Sequence, residues 1–177
     1  MLRRASVFAV VALMIGAVSA RAQDNIELGV DWAFGVNVDG DTQWFVDIPA
    51  AQFRAGFWLS DRVSIEPRLG YALRSNGGTD HLLDVGLNGL VFFSKSAERV
   101  RGYGVIGAAW IWSNFEGADA NSDFSVGAGV GLWLPMTTHL ATRVEGRYDR
   151  IFRGGGVDAG NVVTLLVGLS FTVKPIQ

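Results

Sequence analysis

Thirteen consecutive residues, Ile26 to Val38, alternate without a break: Ile26, Leu28, Val30, Trp32, Phe34, Val36 and Val38 fall on one side, and Glu27, Gly29, Asp31, Ala33, Gly35 and Asn37 on the other. A period of two is that of a β-strand. Strands in soluble sheets run to about 5–6 residues, whereas one that crosses a bilayer at a tilt takes about 9–11. This segment is long enough to cross. Its large apolar side chains share one face while acids and glycine share the other, the inverse of a soluble barrel around an oily core. The inversion predicts a wall that is greasy outside and polar inside.

The same grammar repeats along the chain. After a tight-turn signature at Asp39-Gly40-Asp41, a second segment, Thr42 to Leu59, changes phase: Trp44, Val46 and Ile48 share a face, then Ala51, Phe53, Ala55, Phe57 and Leu59. Pro cannot donate to a ladder and bulges shift alternation by one, which places a bulge at Pro49 to Ala51 and turns Gln52 and Arg54 inward. Ser60-Asp61-Arg62 turns into a third strand with Val63, Ile65, Pro67, Leu69, Tyr71 and Leu73 outward and Ser64, Glu66, Arg68, Gly70 and Ala72 inward. A polar loop, Arg74 to Asp80, precedes a fourth strand with Leu83, Val85, Leu87, Val91 and Phe93 outward and Asp84, Gly86 and Asn88 inward. The fifth, Val100 to Trp112, has apolar residues on both faces and no assigned register. Beyond the polar loop Ser113 to Ser122, the sixth strand sets Phe124, Val126, Ala128, Val130, Leu132 and Leu134 against Ser125, Gly127, Gly129 and Gly131. The seventh points Ala141, Arg143, Glu145, Arg147 and Asp149 inward, and after a Gly-rich loop, 151 to 160, the eighth points Thr164, Gly168 and Ser170 inward.

Eight consecutive strands predict an all-β fold, an antiparallel up-and-down meander closed into a transmembrane barrel. Closure is compulsory because unpaired backbone groups in lipid cost several kcal/mol each. Both termini then share one side with the turns at 60–62, 94–98 and 135–139. Aromatic girdles are expected at the two interfaces, from Trp44, Trp112 and Phe152 at one end and Phe57, Phe93, Trp133 and Phe171 at the other.

The chain opens with the marks of export: Arg3 and Arg4, an apolar run Val7 to Val18, and Ala20-Arg21-Ala22 in the pattern of a signal-peptidase site. The expected organisation is a signal peptide, 1–22, followed by one barrel domain, 23–177. Removing 1–22 takes Arg3, Arg4 and Arg21 from the 15 basic residues and none of the 17 acids, leaving a net charge of −5. A nucleic-acid partner calls for the opposite sign. With 0 Cys there is neither a disulfide nor a lipidated N-terminal cysteine. The 23 glycines have a use on the inner face of a narrow barrel.

The interior carries the chemistry. Acids Glu27, Asp31, Glu66, Asp84, Glu145 and Asp149 face the same space as Arg54, Arg68, Arg143 and Arg147, and desolvated charges must pair. The third and seventh strands echo one another in Ile65-Glu66-Pro67-Arg68 and Val144-Glu145-Gly146-Arg147, and in a ring of eight they stand across the axis. Glu66, Arg68, Glu145 and Arg147 are therefore expected to form a central cluster that blocks continuous water. No phosphate loop or metal-ligand spacing occurs, and no cofactor is expected.

The segment Phe57-Trp58-Leu59-Ser60-Asp61-Arg62-Val63-Ser64-Ile65-Glu66 resembles the strand–turn–strand of the small outer-membrane β-barrel domain family, porin-like and opacity-type proteins of Gram-negative bacteria related to the OmpA and OmpX barrels. Gly102-Tyr103-Gly104-Val105 and Val144-Glu145-Gly146-Arg147-Tyr148 look similar to it too. The resemblance implies residence in the outer membrane among lipid and lipopolysaccharide, assembly by the insertion machinery, and a structural or surface-interaction role. A narrow channel for ions or small solutes is the alternative. A lipid-modifying enzyme is disfavoured: eight-stranded lipid A deacylases pair His-x-Ser with a Glu, and neither His81 nor His139 has Ser two positions on. An adhesive role would fall to Phe115, Glu116 and Asp119 in the loop Ser113 to Ser122.

Overall fold

A computed structural model describes residues 26–38, 43–75, 79–95, 100–114, 121–152 and 160–173. Eight strands follow in chain order: β1 (Ile26–Asn37), β2 (Gln43–Ser60), β3 (Val63–Ser75), β4 (Thr79–Phe92), β5 (Arg101–Asn114), β6 (Asn121–Pro135), β7 (Leu140–Phe152) and β8 (Gly160–Thr172). Each pairs antiparallel with its neighbours in sequence, and β8 returns to β1, where Glu27 faces Thr172 and Asn37 faces Val162. Strands of 12 to 18 residues exceed the span a tilted membrane strand needs. Closure pairs every strand on both sides, the condition hydrocarbon imposes on a sheet.

Exposure follows the alternation. On the outer face Ile106 is 70% exposed and Val130 66%, whereas on the inner face Glu66 is 2% exposed and Arg143 4%. Burial of ion pairs under an exposed apolar coat would be unfavourable in water and is the favourable arrangement in lipid. Near one interface Trp110, Trp112, Phe124 and Phe152 form a chain of outward rings with centroids 6.0–6.5 Å apart. Near the other, Phe93 and Phe171 are exposed.

Four expectations change. The β1–β2 register jumps from Asp31↔Gln52 to Ala33↔Asp47, so Trp32 alone stands opposite Ile48 to Ala51, a larger bulge than a one-residue phase shift requires. The ladder between β3 and β4 continues to Ser75↔Thr79, through most of the segment assigned to a polar loop. Backbone pairing above the hydrocarbon layer needs no apolar alternation, and hydropathy cannot mark where it stops. The register of β5 is fixed by Tyr103↔Gly131 and Val105↔Gly129, which turns Arg101, Tyr103 and Val105 inward and Ile106 and Trp110 outward. Trp133, expected in a girdle, is 1% exposed and points inward; its odd number places it in phase with Gly131 and Gly129, and its large ring is what fills the space there. It packs with Leu90, Phe92, Tyr103, Val105 and Ala141 in a single apolar cluster against which Trp58 is laid.

Residues 1–22, with the expected signal peptide, lie outside the described residues, as do Phe115, Glu116 and Asp119; the side chains of Trp44 and His81 do too.

An arginine at position 130, near the middle of β6, would face lipid tails. Val130→Arg is expected to lower stability in lipid vesicles by about 2–4 kcal/mol, read from denaturant unfolding. A change near zero would contradict the outward orientation of this face.

Candidate functional site

The inner wall is crowded because an eight-stranded barrel leaves room only for side chains. Space for large heads comes from glycine. Arg54 lies in register with Gly29, Asp31 with Gly168, Arg68 with Gly86, Asn88 with Gly107, Tyr103 with Gly131, Arg147 with Gly129 and Asp149 with Gly127. A Cβ built on Gly29 would strike the Arg54 guanidinium, one on Gly168 or Gly127 the carboxylate of Asp31 or Asp149, and one on Gly131 the ring of Tyr103. The heads of Arg54, Asp31, Arg68, Asn88, Tyr103 and Asp149 lie across the neighbouring strand where that strand carries no side chain, while that of Arg147 reaches on to Gly107.

Two networks result. In the first, Arg54 reaches over β1: Nη1 donates to Glu27 Oε1 at 2.8 Å, Nε to Asp31 Oδ2 at 2.9 Å, and Nη2 to the Ser170 hydroxyl. Gln52 Nε2 donates to Asp31 Oδ2 at 2.9 Å, and its carbonyl accepts from Arg68 Nη1 at 2.9 Å. Arg68 also stands 3.6 Å from Asp84.

Arg143 is the hub of the second. Its Nη1 donates to both carboxylate oxygens of Glu66, at 2.7 and 2.9 Å, its Nη2 to Glu145 Oε2 at 3.0 Å, and its Nε to the Tyr103 hydroxyl at 3.1 Å. Tyr103 in turn donates to Glu145 Oε2 at 2.9 Å. Above it Arg147 Nε binds both oxygens of Asp149 at 2.9 Å, its Nη1 donates to Asn88 Oδ1 at 2.9 Å, and it approaches Glu145 to 3.9 Å. Charge-assisted contacts of this kind are the strong class of hydrogen bond.

The quartet singled out in the sequence divides accordingly. Glu66 and Glu145, from β3 and β7, meet through Arg143 rather than through each other's arginines. Arg147 borders Glu145, while Arg68 belongs with Gln52 and Asp84 in the first network. Tilted strands meet across a barrel with a stagger, and the matching Glu-x-Arg motifs therefore do not sit at matching heights. Sequence reading gave no part to Tyr103, to the amides of Gln52 and Asn88, or to Arg101. Strand parity already turned Gln52 and Asn88 inward, whereas Tyr103 and Arg101 needed a register for β5.

Among the described residues no group of three or more His, Cys, Asp or Glu side chains could hold a metal ion. His139, in the turn before β7, is held locally: its Nδ1 is 2.9 Å from the Thr172 carbonyl oxygen and its ring stacks on Phe171.

Removing the hub would strand Glu66 and Glu145 together in the interior. Arg143→Ala is expected to cost about 3–5 kcal/mol in equilibrium unfolding, the range for breaking a buried pair from one side. For the glycine packing, Gly131→Ala should cost about 1–3 kcal/mol through collision with the Tyr103 ring. Gly146→Ala, on the lipid face with nothing within 4 Å of the new methyl, should fall within about 0.5 kcal/mol of zero. Equal effects for the two alanines would contradict the packing described.

The sequence matches the outer membrane protein beta-barrel domain over residues 8–171. Among solved structures it is similar to Neisserial surface protein A, with 14% identity and a TM-score of 0.65 over 83% of this chain and 95% of that one. It is similar also to Pseudomonas aeruginosa OprG, with 12% identity and a TM-score of 0.54 over 86% and 97%. The N-terminal β-barrel domain of Pseudomonas aeruginosa OprF shares 17% identity, with a TM-score of 0.53 over 84% and 98%. At these identities the likeness is one of fold. No curated protein matches the sequence. With the family match spanning nearly the whole chain and the barrel inverted for lipid, the protein belongs to the outer-membrane β-barrel domain family and resides in the bacterial outer membrane.

Proposed function

We propose that this barrel is a non-enzymatic, non-conducting component of the outer membrane, one that stabilises the membrane or presents its short loops at the surface, with an interior filled by ion pairs. The observation that carries this reading is the Arg143 fork onto Glu66, at 2.7 and 2.9 Å, which ties β7 to β3 across the interior. A strut between strands four apart in the ring occupies the path an ion would take. The likeness in fold to Neisserial surface protein A supports the outward-facing part of the reading. In this view residues 1–22 direct export and are removed, the insertion machinery assembles residues 23–177, and lipopolysaccharide and lipid surround the finished wall. Neither His81 nor His139 has Ser two positions on, so the sequence offers no His-x-Ser pair to support an acyl-transfer role, and mass analysis of lipid A from expressing cells should show no modification.

Planar-bilayer recording separates this reading from that of a narrow pore. Purified protein should give no steady current in concentrated salt, because desolvated, mutually paired side chains leave no continuous water. Reproducible unitary steps from the unmodified protein would replace it with the channel reading.

A further inference from the structure

The interior is not charged throughout. At the end where the β2–β3 and β4–β5 turns lie, Trp58, Phe92, Tyr103 and Trp133 form an apolar layer with Leu90, Val105 and Ala141. Trp58 and Phe92 have ring centroids 4.6 Å apart, and Phe92 and Tyr103 5.2 Å. One cation sits in this layer. Arg101, at the start of β5, is 3% exposed, although it lies at a strand end where a long cationic side chain could reach water. Its guanidinium carbon lies 4.2 Å from the Phe92 ring centroid and 4.9 Å from that of Trp58. Its Nη2 donates to two backbone carbonyls, that of Asp61 in the β2–β3 turn and that of Ser94 just past β4, the latter at 3.0 Å.

These contacts differ in kind from those of the arginines above. Arg54, Arg68, Arg143 and Arg147 neutralise carboxylates. Arg101 instead gives one nitrogen, Nη2, to carbonyls from two separate turns and lays its flat guanidinium over two rings, a stacking that an ammonium does not provide. We propose that the aromatic layer is a watertight floor at the mouth on the side of the chain termini, and that Arg101 is the pin holding the two turns down over it. This deepens, and rests on, the closed-interior reading above: the interior is sealed twice, by ion pairs in the middle and, independently, by packed rings beneath them. Tyr103 joins the two seals, its ring packed on Phe92 and its hydroxyl within the Arg143–Glu145 network. Opening the mouth requires the turns to part, and Arg101 resists that motion by binding both.

The absence of cysteine makes the test clean, since one introduced thiol reports alone. Ser64, 1% exposed on the inner face of β3 and in register with Trp58 and Leu90 of that layer, is the reporter site. With Ser64→Cys in folded protein in micelles, a small charged thiol reagent should react very slowly when Arg101 is present. Adding Arg101→Ala should raise the labelling rate about tenfold or more, since the two lost hydrogen bonds and the ring contacts enter the opening equilibrium directly. Arg101→Lys, which keeps the charge but not the planar group stacked on the rings, should fall between, and it serves in place of the alanine variant should that not fold by heat-modified gel mobility. Equal rates in all backgrounds, or fast labelling with Arg101 intact, would overturn the floor. Bilayer recording on the unmodified protein keeps the two readings apart: a silent bilayer with equal labelling rates fails the floor alone, whereas steady conductance fails the closed-interior reading on which it rests.

Discussion

The charges in the middle of a barrel this narrow are stable only against partners of opposite sign, and the inner wall there is arranged to meet that condition. Moving a carboxylate or guanidinium out of water costs several kcal/mol even after relaxation, and only excellent geometry with saturated hydrogen bonding offsets it. Arg143 meets the requirement by contacting Glu66, Glu145 and Tyr103 at once, and Arg54 by contacting Glu27, Asp31 and Ser170. These contacts cross strands that are remote in sequence, Glu66 and Arg143 being 77 residues apart. The polar interior thus does for this protein what an apolar core does for a soluble one, binding distant segments together, but with directional contacts instead of surface burial.

The two layers of the interior divide that work. The charged layer fixes relative positions sharply, because forked hydrogen bonds tolerate little displacement. The aromatic layer around Trp133 and Phe92 is less exacting in angle and excludes water by packing. Outside, the apolar coat of Ile106, Val130 and Phe53 makes no demand on register and needs only to be compatible with lipid.

Much of this was legible in the sequence and some was not. Alternation over Ile26–Asn37, Phe124–Leu134 and Leu140–Asp149 fixed strand type, orientation and the inward charges, because a period of two leaves a side chain only two choices. It could not fix height. The Glu-x-Arg echo between β3 and β7 read as a facing quartet, yet the stagger of the barrel hands Glu66 to Arg143 and Arg68 to Asp84. In β5 the alternation was silent because its inward residues, Tyr103 and Val105, serve the apolar layer and are as greasy as its outward Ile106 and Trp110. Trp133 was misplaced for a related reason: an aromatic near a strand end reads as a girdle residue unless one knows that this end of the interior is apolar. The loop at 74–80 was overdrawn because pairing outlasts the apolar pattern.

The register of glycine against each large inner head has a consequence for how such a wall can change. Arg54 occupies volume that Gly29 vacates, Asp149 volume that Gly127 vacates, and Tyr103 volume that Gly131 vacates. Relocating Arg54 by two positions would set it opposite Asp31 or Glu27, each already furnished with a side chain, and leave a hole behind. At such a position sequence drift proceeds by coordinated exchange, a bulky residue and its vacancy migrating together, whereas the lipid-facing surface is at liberty to wander among hydrocarbons one replacement at a time.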